Sequence, residues 1–316
     1  MEELQPQVQT AQTENSEELL YFWALGDLHY YARAGWQELH TARLAPLFRD
    51  LRQLWAREGL PAFCVSPGDI VEMSGPEHYQ LAGQQLRAQL GTVKFYPGVG
   101  NHELFGEGEE TEEELLRDFT TFWSQPPHYY WEEGGVVCIM LDVVGYPAPM
   151  FTAESLAFLR TALAKHPRHL AVVFAHCPLY NTVLDRDPAL RLDYDSLDPF
   201  FSVENSATVR QILAGHGNAC LYLSGHTHTN WQAPSLVMTD HSGAHPVIYA
   251  NLSSPWYTGR HHGARWLEEE QRYDYRADEP DVLASLAIHV MRSRVYLRLR
   301  NHRAGNWLTE WNIPLQ

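Results

Sequence analysis

The 316-residue sequence is poor in three things that would have defined its class at once: paired cysteines, basic residues and long apolar runs. Its four cysteines, Cys64, Cys138, Cys177 and Cys220, are scattered with no Cys-x-x-Cys pair, and three lie in or beside apolar runs. That spacing argues against a disulfide framework or a zinc-thiolate site and predicts buried free thiols. Lysine occurs only at Lys94 and Lys165, a bias that carries no functional reading. With 23 basic against 39 acidic residues the formal charge is −16. Such a field repels nucleic-acid phosphates and anionic membrane surfaces, so polymeric nucleic acid is disfavoured as a partner, while a small phosphate held locally is not. No segment is apolar over the length a bilayer requires. The first twenty residues are polar and acidic, with neither the basic nor the apolar region of a signal peptide. A cytoplasmic protein with no membrane association is expected; the oligomeric state is not readable.

What the sequence has in quantity is short apolar runs, 45% of it being hydrophobic. The runs at 21–25, 62–66, 93–99, 136–142, 170–176 and 219–226 are rich in β-branched or aromatic residues and bounded by Gly, Pro or Asp, and read as buried strands. Segments 37–58, 76–90, 111–123, 152–165 and 203–214 between them carry helical spacing or start signals, including a Thr cap at Thr152. Strands alternating with helices imply a βαβ-type sheet with helices outside it. Beyond residue 234 come five strand-like segments with few helices, which predicts a second, more antiparallel sheet stacked on the first. A disordered segment, 1–19, is expected to precede a single domain over 20–316. The acidic run 107–114 reads as a solvated loop and helix start, and the long, poorly periodic stretch 180–201 as a loop of the kind that covers active sites.

The chemistry lies just past the end of each apolar run. "YFWAL" leads into "GDLHY", giving Asp27 and His29; "AFCVSP" into "GDIVE", giving Asp69; "FYPGV" into "GNHE", giving Asn101 and His102. "VVFAH" ends at His176, and "LYLS" gives way to "GHTH", with His226 and His228. Each motif alone is weak, since Gly-Asp is an ordinary turn and a lone His an ordinary core residue. Five in order are not, because the carboxyl ends of parallel strands lie along one edge, where ligands bind. The preceding glycines permit sharp turns and close backbone approach. Asp27, His29, Asp69, Asn101, His176, His226 and His228 form a mixed carboxylate, imidazole and amide set that suits Mn, Fe or Zn better than Ca or Mg. Seven donors are too many for one ion and natural for two if Asp69 bridges. Two such ions, about 3.5–4 Å apart, are the usual clamp for displacement at phosphorus.

The series "GDLH", "GDIVE", "GNHE", "AH", "GHTH", spanning residues 26 to 228, resembles the calcineurin-like metallophosphoesterase superfamily. The resemblance implies an α/β fold, a four-layer α/β/β/α sandwich with two stacked mixed sheets and a dinuclear metal site at strand ends. It implies two divalent or mixed-valence transition-metal ions (Mn, Fe or Zn), one held by Asp27, His29 and His228, the other by Asn101, His176 and His226, with Asp69 bridging. His102 would be the catalytic residue, stabilising charge or protonating the leaving oxygen, with Glu103 orienting it. The implied activity is hydrolysis of a small-molecule phosphoester, a diester such as a cyclic nucleotide or a monoester, by attack of a metal-bound hydroxide. A silent binding scaffold of the same fold, or a nuclease, are the alternatives. Glu72 stands where purple acid phosphatases carry tyrosine, and "GDIVEMSG" lacks the Asp-Arg-Gly turn of the serine/threonine protein phosphatases. What remains resembles the small bacterial-type phosphodiesterases and phosphatases.

Other residues carry weaker signals. Asp142 is a candidate partner for a ligand histidine or a strand-end turn carboxylate. His261 and His262, with Arg260 or Arg265, read as a surface loop before a phosphate contact. Tyr30, Tyr31 and Trp36 line the mouth of the site or pack beneath a loop. His40, His78, His166, His169, His216, His241, His245 and His289 are expected to be structural or exposed.

Overall fold

Alternate residues of β1 (Glu18–Ala24) serve two different cores: Phe22 and Ala24 face one, Trp23 the other. The same two-residue alternation organises the whole molecule. The computed structural model describes residues 18–184, 195–229, 231–243, 245–256 and 282–316, together with four short strands at 186–187, 192–193, 265–267 and 272–274. Residues 1–17 of the expected disordered segment, Arg260, His261 and His262, and residues 185, 188–191 and 194 of the long loop fall outside these, as does the side chain of Arg265.

After β1 come α1 (Trp36–Glu58), β2 (Phe63–Ser66), α2 (Pro76–Leu90), β3 (Lys94–Pro97) and α3 (Glu112–Trp123). Next are β4 (Tyr129–Glu133), β5 (Val136–Leu141), α4 (Ala153–Lys165), β6 (Leu170–Ala175), β7 (Arg186–Asp187) and β8 (Leu192–Asp193). Then come α5 (Ser206–Gly215), β9 (Ala219–Ser224), β10 (Val237–Asp240) and β11 (Val247–Asn251). The chain ends with β12 (Arg265–Leu267), β13 (Arg272–Asp274), β14 (Ala284–Met291), β15 (Arg294–Asn301) and β16 (Asn306–Pro314).

Two mixed sheets of six strands result, in the orders β16-β15-β14-β1-β2-β3 and β10-β11-β9-β6-β5-β4, while β7–β8 and β12–β13 form two small hairpins. Strands β1, β2 and β3 are parallel, as are β5, β6, β9 and β11; β14 to β16, β4 and β10 run antiparallel to their neighbours. The expectation that the tail builds a sheet of its own is corrected by this order. Its strands are shared, β10 and β11 extending one sheet and β14 to β16 the other. β4 has no counterpart among the expected strands, because "YYWEE" has no apolar alternation.

Phe22, Phe63, Phe174, Leu223 and Leu286 fill the space between the sheets. Trp23, Leu47, Leu51, Tyr79 and Phe119 pack the first sheet against α1, α2 and α3. Ile139, Val173, Leu159, Leu213 and Tyr222 pack the second against α4 and α5. The molecule is thus a four-layer α/β/β/α sandwich. Each of these fully buried side chains contributes about 1.5–3 kcal/mol, and the three cores together fix the strand ends that carry polar residues. All four cysteines are buried free thiols, and no helix of the described residues is long and apolar enough to cross a membrane.

Candidate metal centre

Every member of the seven-residue set sits just past the carboxyl end of β1, β2, β3, β6 or β9. The parallel pairing continues beyond the strands and ties the loops together. His29 N–H donates to Asp69 O (3.0 Å), Tyr30 N–H to Ile70 O (2.8 Å) and Glu72 N–H to Tyr30 O (2.9 Å). The two sheets meet where His226 N–H donates to Asp27 Oδ1 (2.8 Å) and the Ser254 hydroxyl to Asp27 O (2.8 Å).

Five of the seven hold left-handed backbone: Asp27 (φ 43°), His29 (52°), Asp69 (51°), His226 (69°) and His228 (45°). Asp and His tolerate this region better than most residues, yet each instance costs about 1 kcal/mol or more, and such strain concentrates at functional sites. The glycines have another use. A Cβ on Gly100 would lie 2.2 Å from Asp69 Oδ1, and one on Gly225 2.5 Å from Asp27 Oδ2. The close approach they allow is to the carboxylates themselves.

The side chains fall into two groups of metal-binding type, Asp27, His29, Asp69 and His228 in one and Asp69, His176 and His226 in the other. Asn101 joins the second, its Oδ1 lying 3.0 Å from His176 Nε2. Within the first, His29 Nε2 and His228 Nε2 are 3.2 Å apart. Asp69 belongs to both, its Oδ2 lying 3.1 Å from His176 Nε2 and 3.9 Å from His29 Nε2. Ligands bonded to one transition-metal ion at about 2.0–2.1 Å stand about 3.3 Å apart in a tetrahedron, so these spacings suit donors turned towards common centres. Asp27 Oδ2 is buried with no hydrogen-bond partner, an arrangement that a cation resolves. The residues therefore fit a pair of ions. Because the Phe200 carbonyl can only accept, His226 Nε2, 3.0 Å away, is the protonated nitrogen. Its Nδ1 is left with the lone pair. The long loop reaches the site through that carbonyl.

Burial pushes the Asp69 carboxyl up, but His176, His102 and His29 outweigh it and hold the group well below the ordinary carboxylate range. Burial, with the charge of His176, draws His226 down to about 3. For His102 burial opposes protonation, yet Asp69 and Glu72 prevail and raise it to about 9.

His102 Nδ1 donates to Glu72 O (2.6 Å), and its backbone N–H to Asp69 Oδ1 (3.0 Å). Glu103 does not orient it. Its Oε2 accepts from Asp69 N–H and Gly100 N–H (both 2.7 Å), and its Oε1 from Ile70 N–H (2.8 Å) and Val71 N–H (3.1 Å). Burial and the Asp69 charge lift its pKa to about 7. Two bonds on each oxygen nevertheless use all the in-plane lone pairs, which holds it as a carboxylate. Glu103 thus fastens the Asp69 turn to the Asn101 turn, a role sequence reasoning missed because backbone acceptors leave no side-chain signature. Glu72, notable in the sequence only as a departure, enters the site with Oε2 2.9 Å from His29 Nδ1.

Asp142 is no partner for these histidines; it accepts from the Ser155 hydroxyl (2.7 Å) and pairs with His128 (3.0 Å). Tyr30 and Trp36 are buried, the Trp36 Nε1–H donating to His29 O (3.1 Å), and half-buried Tyr31 donates to Glu107 (2.9 Å). The acidic run opens α3, with Thr111 and Glu114 in a reciprocal cap.

Two stacked sheets with paired histidine and aspartate donors at a shared edge define a metal-dependent hydrolase. The chain belongs to the calcineurin-like phosphoesterase family, whose profile matches residues 20–230. The family implies a dinuclear divalent metal site and metal-dependent phosphoester hydrolysis, and the protein is a phosphoric ester hydrolase. Comparison with curated proteins gives no match. Among solved structures the fold is similar to a dimetal phosphatase from Danio rerio, with 15% identity, TM-score 0.61, and 95% of this chain and 100% of that one covered. It is similar to a purple acid phosphatase from yellow lupin (13%, TM-score 0.58, 93% and 53%). It is also similar to GAP50 of Plasmodium, described as the anchor in the inner membrane complex (13%, TM-score 0.53, 94% and 89%). At these identities the likeness is one of fold.

Proposed function

We propose that residues 20–316 act as one catalytic domain that hydrolyses a small phosphoester, a diester such as a cyclic nucleotide or a monoester. In this reading Asp27, His29 and His228 hold one ion and Asn101, His176 and His226 the other, with Asp69 shared. Mn, Fe and Zn are the ions that match this donor set. The observation that carries the reading is the position of Asp69 Oδ2, at the seam of both donor groups. Bound ions would supply Lewis-acid neutralisation of the phosphoryl oxygens and a lowered pKa for water. The protein's own part is orientation and proton transfer. Glu103 holds the Asp69 and Asn101 turns in register, and Phe200 O sets the His226 tautomer. His102, 22% exposed at its side chain and kept protonated by Asp69 and Glu72, gives its Nε2 proton to the departing oxygen.

The net charge of −16 supports a small substrate over a nucleic-acid polymer. Buried free thiols fit a reducing compartment, and the cytoplasm is the location we infer. The test is a panel of nitrophenyl mono- and diesters, cyclic nucleotides and glycerophosphodiesters, each assayed with Mn, Zn or Fe. Turnover that requires the metal and disappears in Asp69→Asn supports the reading. A chain that binds two ions yet hydrolyses nothing on the panel is a scaffold, and the proposal fails.

A further inference from the structure

At the far end of β6 from His176, the described residues hold one more group of metal-binding side chains. Glu132 lies on β4, the edge strand of its sheet; His166 ends α4, and His169 immediately precedes β6. Nδ1 of His166 is 3.5 Å and Nδ1 of His169 3.3 Å from the same oxygen, Glu132 Oε2. All three donors lie within 4.8 Å of one another. These separations match the edge of a tetrahedron, about 3.3 Å, around an ion bonded at about 2.0–2.1 Å.

One further observation points to a ligand. Nδ1 of His169, one of the two ring nitrogens turned to Glu132 Oε2, is buried without a hydrogen-bond partner, where buried ring nitrogens ordinarily have one. The backbone between the histidines is also held fixed. His166 N–H donates to Leu163 O (3.3 Å), His169 N–H to His166 O (3.1 Å), and Asn218 Nδ2–H to His166 O (2.9 Å). The two rings lie 25° from parallel with centroids 5.8 Å apart. Of the two cations beside the histidines, Lys165 and Arg168, Lys165 donates to the Tyr130 hydroxyl, and the described ion pairs of Glu132 Oε2 are those to the histidines.

We propose that Glu132, His166 and His169 form a peripheral site for a borderline divalent ion of the zinc class, with its remaining position open to water beside exposed Glu132. Two imidazoles and one carboxylate favour Zn, Co, Ni or Cu over Ca or Mg. The ion would clip the edge strand β4 to the turn between α4 and β6. It shares no ligand with the catalytic pair, since the six residues of β6 separate His169 from His176, roughly 20 Å at the rise of a strand.

The experiment counts zinc per chain after chelator treatment and re-equilibration in zinc-buffered solution. It compares the full-length wild type with Glu132→Gln/His169→Gln, and melting temperatures are read with and without zinc. The expected result is one zinc fewer in the double variant, a zinc-dependent rise in melting temperature confined to the wild type, and unchanged phosphoesterase turnover. Equal zinc counts overturn the proposal. Should the double variant lose its circular-dichroism signature, His169→Gln alone decides. It should weaken the additional zinc at least tenfold, and an unchanged affinity overturns the proposal equally.

Discussion

β6 carries a histidine at each end, and the two ends are built differently. At the carboxyl end His176 is fully buried among donors whose backbones are clamped by Glu103 and whose carboxylates press against Gly100 and Gly225. At the amino end His169 is half-exposed, and its only described ion pair is to an exposed glutamate. A buried site must be fixed before any ligand arrives, since each mispositioned polar group would stay unsatisfied. A surface group can gather around an ion with water filling the gaps. The first end spends backbone strain on geometry, and the second relies on rotamers.

The difference can be broken most severely at Asp69. Asp69→Asn should abolish retention of both ions and lower turnover about a thousandfold or more, the several kcal/mol that metal-assisted charge neutralisation supplies; metal analysis beside kinetics reads both. His102→Ala should separate chemistry from binding, lowering kcat roughly 10²- to 10³-fold with metal content intact, whereas His226→Ala should lose metal. Equal metal loss in the two contradicts the role given to His102.

Glu103→Gln replaces a carboxylate that accepts four N–H bonds with an amide that has one oxygen. A loss of about 2–4 kcal/mol in denaturant unfolding is expected, with kcat down about 10- to 100-fold as the two turns loosen. An unaltered kcat would make the clamp purely structural. The smallest effect concerns His40, which donates from Nε2 to Leu28 O (2.5 Å) beneath the Asp27 loop and whose pKa burial lowers from 6.5 to about 4. Between those values the unfolded chain binds the proton and the folded one does not. Stability is therefore full above pH 6.5 and falls as pH drops towards 4, by at most about 3 kcal/mol. His40→Gln should flatten that part of the stability profile, and an identical slope in the variant counts against the assignment.

Much of the fold was legible because period and punctuation are local. The apolar runs bounded by Gly, Pro and Asp became β1, β2, β3, β5, β6 and β9, and the helical segments became α1 to α5. That the seven candidate residues gather at one sheet edge was legible because each comes just after a buried strand. β4 was not, since Tyr129 to Glu133 has no apolar period and is stabilised by pairing with β5. The Glu132, His166 and His169 group was not legible either, because Glu132 and His166 are 34 positions apart and meet only when β4 takes the sheet edge.

Local sequence thus determined which residues form β1, β2, β3, β5, β6 and β9, where those strands end, and which polar side chains stand at those ends, because side-chain period and turn chemistry act over a few residues. Tertiary structure alone decided how the parallel strands divide between two sheets and which tail strands extend each. It also decided that the Phe200 carbonyl selects the His226 tautomer and that Glu103 joins two turns from β2 and β3. Those outcomes depend on backbone groups and on contacts between distant segments, which come together only once the three cores have closed.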